Sequence, residues 1–468
     1  LNNTLNAFVP KKYLVIQLAR LGDLIQTKRL LYSLYYEPVP NFANGNLAKN
    51  ITHTSEIHLC VDASLESFAK KLFPFAQVYG IIAHNHMTDK TDKNLISSNA
   101  SKILTLNREI FQTLSNISFD QVYNLNFSGL NYSLAALFDS RIVRGYYREQ
   151  GSQALSLWTK FIWRWTSQRR SSPLNLADFW ALLADFPYPA ELVSPIAGRF
   201  RSIKKTESEG LSQFIQTQSS FSKENKIGIV LAGRESRRSL PPACLAKVIK
   251  AIFEGQGGPK LVLLGSKSEQ ILAHQLMREF SPSMLEKTEN LAGKTGLLDL
   301  FELVESCNQI LTPDTGLMHL AAHLGVAIQA FFLSSAWSWE TGPYGQGHMI
   351  WQATPACSPC VESQPCSCKT QLCLEPFSSK AFLSHLSGRY VPELPDDFCG
   401  LVSSFDSLGV CYDAVDGQSP MQEERMILRS LLGEQKGLFF ADWLGDTSKS
   451  SELAEYLFKE LDWITENK

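Results

Sequence analysis

At 468 residues the chain is too long for one hydrophobic core, and two domains with an extension are the natural division. Hydrophobic residues make up 44% and charged residues 19%, an ordinary globular composition that excludes wholesale disorder. The formal net charge of -2 carries no basic bias, so no nucleic-acid partner is expected.

Tyr13 to Leu18 is a short apolar run that predicts a buried strand. Leu24 to Leu34 carries apolar residues at helical spacing, with the turn Ala19-Arg20-Leu21-Gly22-Asp23 between the two. Further strands are predicted at 56–61 and 121–125, and helices at 64–72, 103–114 and 132–138. The polar run 85–101 reads as a mobile loop. Pro187, Pro189 and Pro195, then a polar stretch near 201–209, close a first domain over residues 1–205.

A second alternating series fills 206–390. It predicts a strand at 226–231, a helix after Pro241-Pro242, a strand at 260–264, helices at 269–280 and 297–306, a strand at 309–311, a helix at 317–324 and a strand at 327–332. Alternating strands and helices predict a parallel sheet in each half, so the fold class is α/β with two doubly wound domains. Residues 391–468, with helical patterns at 421–432 and 452–464, read as a helical C-terminal extension. No apolar run has bilayer-spanning length, and residues 1–12 lack the apolar stretch of a signal peptide, so a cytoplasmic location is expected.

Open α/β sheets place ligand-contacting residues where strands end. Gly22 and Asp23 stand at the mouth of the first helix, where Asp23 is either a cap or a reactive carboxylate. The Gly-x-Gly-x-x-Gly fingerprint is missing there, which argues against NAD or FAD. In the second half, Leu311-Thr312-Pro313-Asp314-Thr315-Gly316-Leu317-Met318-His319 runs from strand through turn into helix. Free N–H groups and the positive end of that helix suit a diphosphate held without metal. Gly233 to Arg238 and Gly265 to Glu269 follow two other strands, offering guanidinium groups for phosphate and a carboxylate for a ribose diol. For acceptor hydroxyls, Asn124, Asn126 and Ser128 follow a strand of the first half, while Arg20, Lys28, Arg141, Arg144 and Arg148 suit an anionic acceptor.

Together these motifs resemble the ADP-heptose:lipopolysaccharide heptosyltransferases. Leu18-Ala19-Arg20-Leu21-Gly22-Asp23-Leu24 is similar to the opening motif of that family, and Pro313 to Ala322 to its donor-binding motif, with Gly342-Pro343-Tyr344-Gly345 where the family has a similar turn. The resemblance spans roughly residues 11 to 375 in order and spacing. It implies a GT-B architecture of two Rossmann-like domains facing across a cleft, acceptor on the N-terminal half and ADP-sugar on the C-terminal half. It also implies an inverting, metal-independent transfer of heptose from ADP-heptose to a lipopolysaccharide-core-like or lipid-linked glycan, which would bring peripheral contact with the inner membrane surface. By that likeness Asp23 is the general base, Arg238 neutralises the leaving group, Asp314, Thr315, Gly316 and His319 hold the diphosphate, and Gly233 belongs to the donor-binding set. Glu269 meets the ribose, and Gly22, Arg20, Asn124, Asn126 and Arg144 face the acceptor. No Asp-x-Asp occurs in the chain, in keeping with catalysis without a cofactor. Arg238-Ser239-Leu240-Pro241 departs from the Lys-x-Trp-Pro common in the family, and Gln17 from a basic residue, so the donor base or sugar is open to change.

Five of the ten cysteines crowd between Cys357 and Cys373, beginning with a Cys-x-x-Cys pair. Cys357, Cys360, Cys366 and Cys373 would suit a closed structural site for Zn or Fe, with Cys366 and Cys368 competing for one place. Reduced loop cysteines and a facultative disulfide are the alternatives. Two other readings stand beside the transferase: a different nucleotide-sugar donor, and a non-catalytic nucleotide- or carbohydrate-binding module.

Overall fold

The structure, a computed structural model, describes residues 10–36, 55–82, 105–156, 158–160, 169–194, 225–233, 236–362, 364–368, 370–389 and 393–434. The expected loop at 85–101, the polar stretch 201–209, the helix at 452–464, and Arg234 and Glu235 lie outside these residues. The chain divides into two units, one of Leu1–Arg164 with Phe179–Tyr188, the other of Trp165–Asp178 with Pro189–Lys468.

In the first unit, β1 (Lys12–Gln17), β2 (Glu56–Asp62), β3 (Ala76–Ile81), β4 (Gln121–Asn124), β5 (Val143–Glu149) and β6 (Ser152–Leu155) form a sheet in the order β3-β2-β1-β4-β5-β6. The pairing is parallel except between β5 and β6. A strand covered on both faces needs apolar side chains on both, and Tyr13, Leu14, Val15 and Ile16 are all buried. Leu14, Ile16, Ile81, Leu114, Val122 and Leu134 meet in one core. The expected single helix over 24–34 is two, α1 (Leu21–Gln26) and α2 (Lys28–Tyr35). Thr27 separates them: its hydroxyl donates to Leu24 O at 2.6 Å, competing with the regular helical ladder. The stretch 179–188 returns to this unit through hydrogen bonds, Trp158 Nε1 to Phe179 O at 2.7 Å and Arg29 Nε to Tyr188 O at 2.9 Å among them. Helices α3 (Glu66–Leu72), α4 (Arg108–Ser115) and α5 (Gly129–Ala135) complete the alternation.

The second unit is built on eight strands: β7 (Lys226–Val230), β8 (Lys260–Leu264), β9 (Thr288–Asn290), β10 (Gln309–Pro313), β11 (Ala327–Phe332), β12 (Met349–Ala353), β13 (Phe398–Phe405) and β14 (Val410–Asp416). Their order is β14-β13-β12-β11-β10-β7-β8-β9, with the six strands from β12 to β9 parallel. Helix α6 (Pro242–Gly255) starts on proline, whose missing N–H costs nothing there, and buries Leu245, Val248, Ile249 and Ile252 on the sheet. Helices α7 (Gln270–Arg278), α8 (Asp299–Glu305), α9 (Gly316–His323) and α10 (Ser338–Thr341) follow in alternation with the strands.

The helical extension expected over 391–468 is corrected at its start. Residues 398–416 form the antiparallel hairpin β13–β14, which adds to the sheet beside β12, and the described helix is α11 (Gln422–Glu434). Aromatic packing holds the hairpin: Trp351 of β12 stacks on Phe398 of β13 with centroids 6.0 Å apart, and Phe382 meets Trp351 edge-on at 4.9 Å. Among the described residues no helix is long and apolar enough to cross a membrane.

Trp351 is fully buried in this cluster, so Trp351→Ala is expected to lower unfolding free energy by about 3–5 kcal/mol in urea titrations, and a cost near zero would refute its anchoring role. His348, just ahead of β12, donates its N–H to Ser403 Oγ and accepts from Ser403 N–H at its carbonyl, and a Cβ on Gly345 would come within 2.4 Å of its Nε2. Burial pushes the imidazole down to about 3 from the ordinary 6.5. Because the folded-state value is the lower one, the stability it contributes is complete above the unfolded value and is lost as pH falls toward the folded one. The loss is at most about 1.4 kcal/mol per pH unit in that window. His348→Gln should flatten the fall in unfolding free energy between pH 7 and pH 5; an unchanged slope would assign the acid sensitivity to other groups.

Candidate active site

β7 and β10 are neighbours whose chains continue to opposite sides, β7 to β8 and β10 to β11, so a crevice opens beyond their C-terminal ends. Gly233 follows β7 and Asp314 and Thr315 follow β10. A Cβ on Gly233 would stand 3.4 Å from both Asp314 O and Thr315 Cγ2, which measures how close the two strand ends come. Gly233 N–H donates to Ser239 Oγ at 2.8 Å, holding the turn that carries Arg238. Thr315 caps α9, its Oγ1 accepting from Met318 N–H at 3.3 Å. The N–H groups of Gly316 and Leu317 precede any intrahelical acceptor, and both residues are half-exposed at the positive end of the helix.

The Asp314 carboxylate is buried beside them, its side chain 5% exposed. Oδ2 accepts from the Arg238 guanidinium and from Thr341 Oγ1 at 2.8 Å, and Oδ1 lies 3.8 Å from His319 Nε2. Burial holds the His319 imidazole below its ordinary value; Asp314 opposes that shift and Arg238 adds to it. A carboxylate has no proton to give a phosphate, so in this arrangement Asp314 orients the cation while Arg238, Gly316 and Leu317 offer donors. Glu362 Oε1 stands 3.8 Å from Arg238 Nη1, and Arg238 Nε is buried without a partner among the described residues. Glu269 sits at the end of β8, its carboxylate accepting from Ser266 N–H at 2.5 Å in a capping box.

In the first unit the corresponding crevice lies between β1 and β4. Leu18 N–H donates to Asn126 Oδ1 at 3.0 Å across it. Arg20 is exposed, Gly22 and Asp23 are half-buried in the first turn of α1, and Asp23 Oδ2 accepts from Arg20 N–H at 3.2 Å. Asn124 is fully buried, donating to Tyr146 O at 2.8 Å and accepting from Asn131 Nδ2 at 3.1 Å. Arg144 donates to Leu183 O at 2.6 Å and pairs with Asp185 at 2.7 Å. Thus Arg20, Gly22, Asp23 and Asn126 gather at the strand ends, while Asn124 and Arg144 are engaged inside the unit. Ser128 caps α5.

The four-sulfur site expected of Cys357, Cys360, Cys366 and Cys373 is not assembled. Among the described residues no group of three or more His, Cys, Asp or Glu side chains is placed to hold a metal. Cys366 is exposed, and it is Cys368 whose sulfur lies 3.4 Å from that of Cys357. The cysteine loop is instead fastened by arginine: Arg237 donates to Val361 O at 3.0 Å and to Glu362 O, and Arg170 to Ala356 O at 3.0 Å. Sequence reasoning missed Thr341 and Glu340 of α10; the one available signal was the Gly342-Pro343 turn that ends it.

A family model described as Glycosyltransferase family 9 (heptosyltransferase) matches residues 107–370, more than half of the chain. The lipooligosaccharide heptosyltransferase 2 of Haemophilus ducreyi is 37% identical over 79 residues, which is 17% of this chain and 22% of that protein. The lipopolysaccharide heptosyltransferase 2 of Escherichia coli is 28% identical over 127 residues, 27% of this chain and 36% of the relative. The matched stretches therefore span only a minor part of either relative's length. The solved structure of a glycosyl transferase family 9 protein from Veillonella parvula is similar with a TM-score of 0.50 at 18% identity, covering 74% of this chain and 88% of that one, a likeness of fold. The chain belongs to glycosyltransferase family 9, the heptosyltransferase family, and its two α/β units are those of a GT-B fold.

Proposed function

We propose that the protein is an inverting, metal-independent glycosyltransferase that moves heptose from ADP-heptose onto a lipopolysaccharide-core-like glycan. The observation that carries the reading is the constellation of Asp314, Arg238, Thr341 and His319 around the start of α9, in a chain of this family. The diphosphate would lie on the Gly316 and Leu317 N–H groups, with Arg238 aimed by Asp314 at its charge. The acceptor hydroxyl loses its proton to the Asp23 carboxylate as its oxygen bonds to the anomeric carbon. The bond from that carbon to the diphosphate oxygen breaks on the opposite face, and ADP leaves with the electron pair. Arg20, Gly22 and Asn126 would face the acceptor, and Glu269 the ribose. An acceptor carried on a lipid would bring the enzyme to the cytoplasmic side of the inner membrane surface.

A different donor base is the second reading, favoured by one observation. Leu240, where the family commonly has tryptophan, is packed into the core of its unit and offers no aromatic face. Calorimetry with ADP-, GDP-, UDP- and CMP-linked sugars separates the two. The expected result is selective ADP-sugar binding that weakens about ten-fold or more in Asp314→Ala. Preference for another nucleotide would reassign the donor, and binding of none would leave a carbohydrate-binding module.

Asp23→Asn tests the base. Transfer should slow by about 10²–10⁴-fold with ADP-sugar affinity unchanged. A variant that transfers at the wild-type rate would remove Asp23 from the mechanism.

A further inference from the structure

One turn of helix is too short to hold its own shape, so α10 depends on what grips it from outside. Arg169 is the strongest grip. Its guanidinium forms a side-on pair with Glu340, Nε 2.8 Å from Oε1 and Nη2 2.6 Å from Oε2. Its remaining donors reach Ser335 O at 2.6 Å and Cys360 O at 2.8 Å, so the loop after β11 and the cysteine loop are held by the same group. Glu340 is largely buried; burial pushes its carboxyl up while Arg169 pulls it back, and an unpaired Glu340 would be costly there. The next residue, Thr341, donates to Asp314 Oδ2, the oxygen that also receives Arg238.

We propose that Arg169 is a positioning residue of the donor crevice: through Glu340 it fixes Thr341, and through Thr341 it fixes the carboxylate that aims Arg238 and faces His319. The chain of contacts is Arg169, Glu340, Thr341, Asp314, all within the second unit. The inference rests on reading that crevice as the donor site. Neither the family motifs nor the strand-end pattern pointed to Arg169, which lies 171 residues from its partner in sequence.

A double-mutant cycle with Arg169→Ala and Thr341→Val tests it, read in two ways. The first needs no donor: the His319 titration followed by NMR, assigned with His319→Gln. Asp314 holds the His319 value up, so loosening Asp314 should lower it in each single variant, with the double variant moving no further. The second is ADP binding by calorimetry, expected to weaken about ten-fold in each single variant and about as much, not a hundred-fold, in the double. If Arg169→Ala does not fold, Arg169→Lys, which keeps the charge without the planar fork, takes its place. Effects that multiply, or a His319 titration unmoved by loss of Arg169, would overturn the proposal. If His319 moves as expected and the wild type binds no ADP, the nucleotide reading fails and the positioning chain stands.

Discussion

The buried carboxylate of Asp314 is the constraint around which the second unit is arranged. A charge removed from water at the end of β10 is tolerable only with matched donors, because the desolvation cost of an unpaired carboxylate runs to several kcal/mol. Arg238 and Thr341 supply those donors on one oxygen, and His319 faces the other. The three partners come from three separate connections: the turn after β7, the one-turn helix α10 after β11, and the first turn of α9. Satisfying one carboxylate therefore fixes three loops relative to the strand ends. A crevice with that much internal bonding is preorganised before any ligand arrives.

The C-terminal hairpin and α11 are continuous with this scheme and not an appendage. Arg425 is fully buried, donating to Ser172 O at 3.1 Å and Pro420 O at 3.0 Å while its guanidinium lies 4.3 Å from the centre of the Trp339 ring. Burial pushes it down to about 9, yet carbonyl oxygens and an aromatic face keep it paired. Arg429, next along the helix, bonds Pro173 O and the Asp406 carboxylate. Trp339 lies in α10, between Ser338, whose N–H donates to Gln352 Oε1 at 3.0 Å, and Glu340. The helix that carries Thr341 is thus backed by α11 on one side chain and held by Arg169 on the next. Residues 169–175 and 406–429 act as scaffolding for a group that touches Asp314.

How much of this was legible follows from how local each signal is. β8 and β11 read directly, because parallel strands buried on both faces are continuous apolar runs, and the observed bounds of β11 are those of the run. α6 announced itself through Pro241-Pro242. β14 did not, since Val410–Asp416 is buried over its first three residues and exposed or half-exposed over its polar end, and lies in a stretch read as helical. Asp23, Arg238 and Asp314 were legible as polar residues at strand ends. Asn124 and Arg144 carry the same signal, yet both are bound to carbonyls of their own unit, and nothing in the sequence distinguishes an internal cross-link from a ligand contact. Cys366 and Cys368 are two residues apart, so only the path of the loop could decide which sulfur meets Cys357.

The pairing of Arg238 with Asp314 suits the planar fork of an arginine better than the single nitrogen of a lysine. The group at this position holds a buried carboxylate. A lysine has three donors on one atom, all radiating from a single point, and pairing it with a carboxylate leaves little geometric freedom for a second anion. The guanidinium divides its five donors among three nitrogens. Nη2 is taken by Asp314, Nη1 faces Glu362 at 3.8 Å, a distance longer than a hydrogen bond, and Nε has no partner among the described residues. The bond to Asp314 therefore occupies the Nη2 end of the guanidinium and leaves Nη1 without a close partner among the described residues. Leu240, two positions on, turns the other way and joins the hydrophobic core of the second unit, so the same short turn that presents Arg238 to Asp314 is anchored beneath by an apolar side chain.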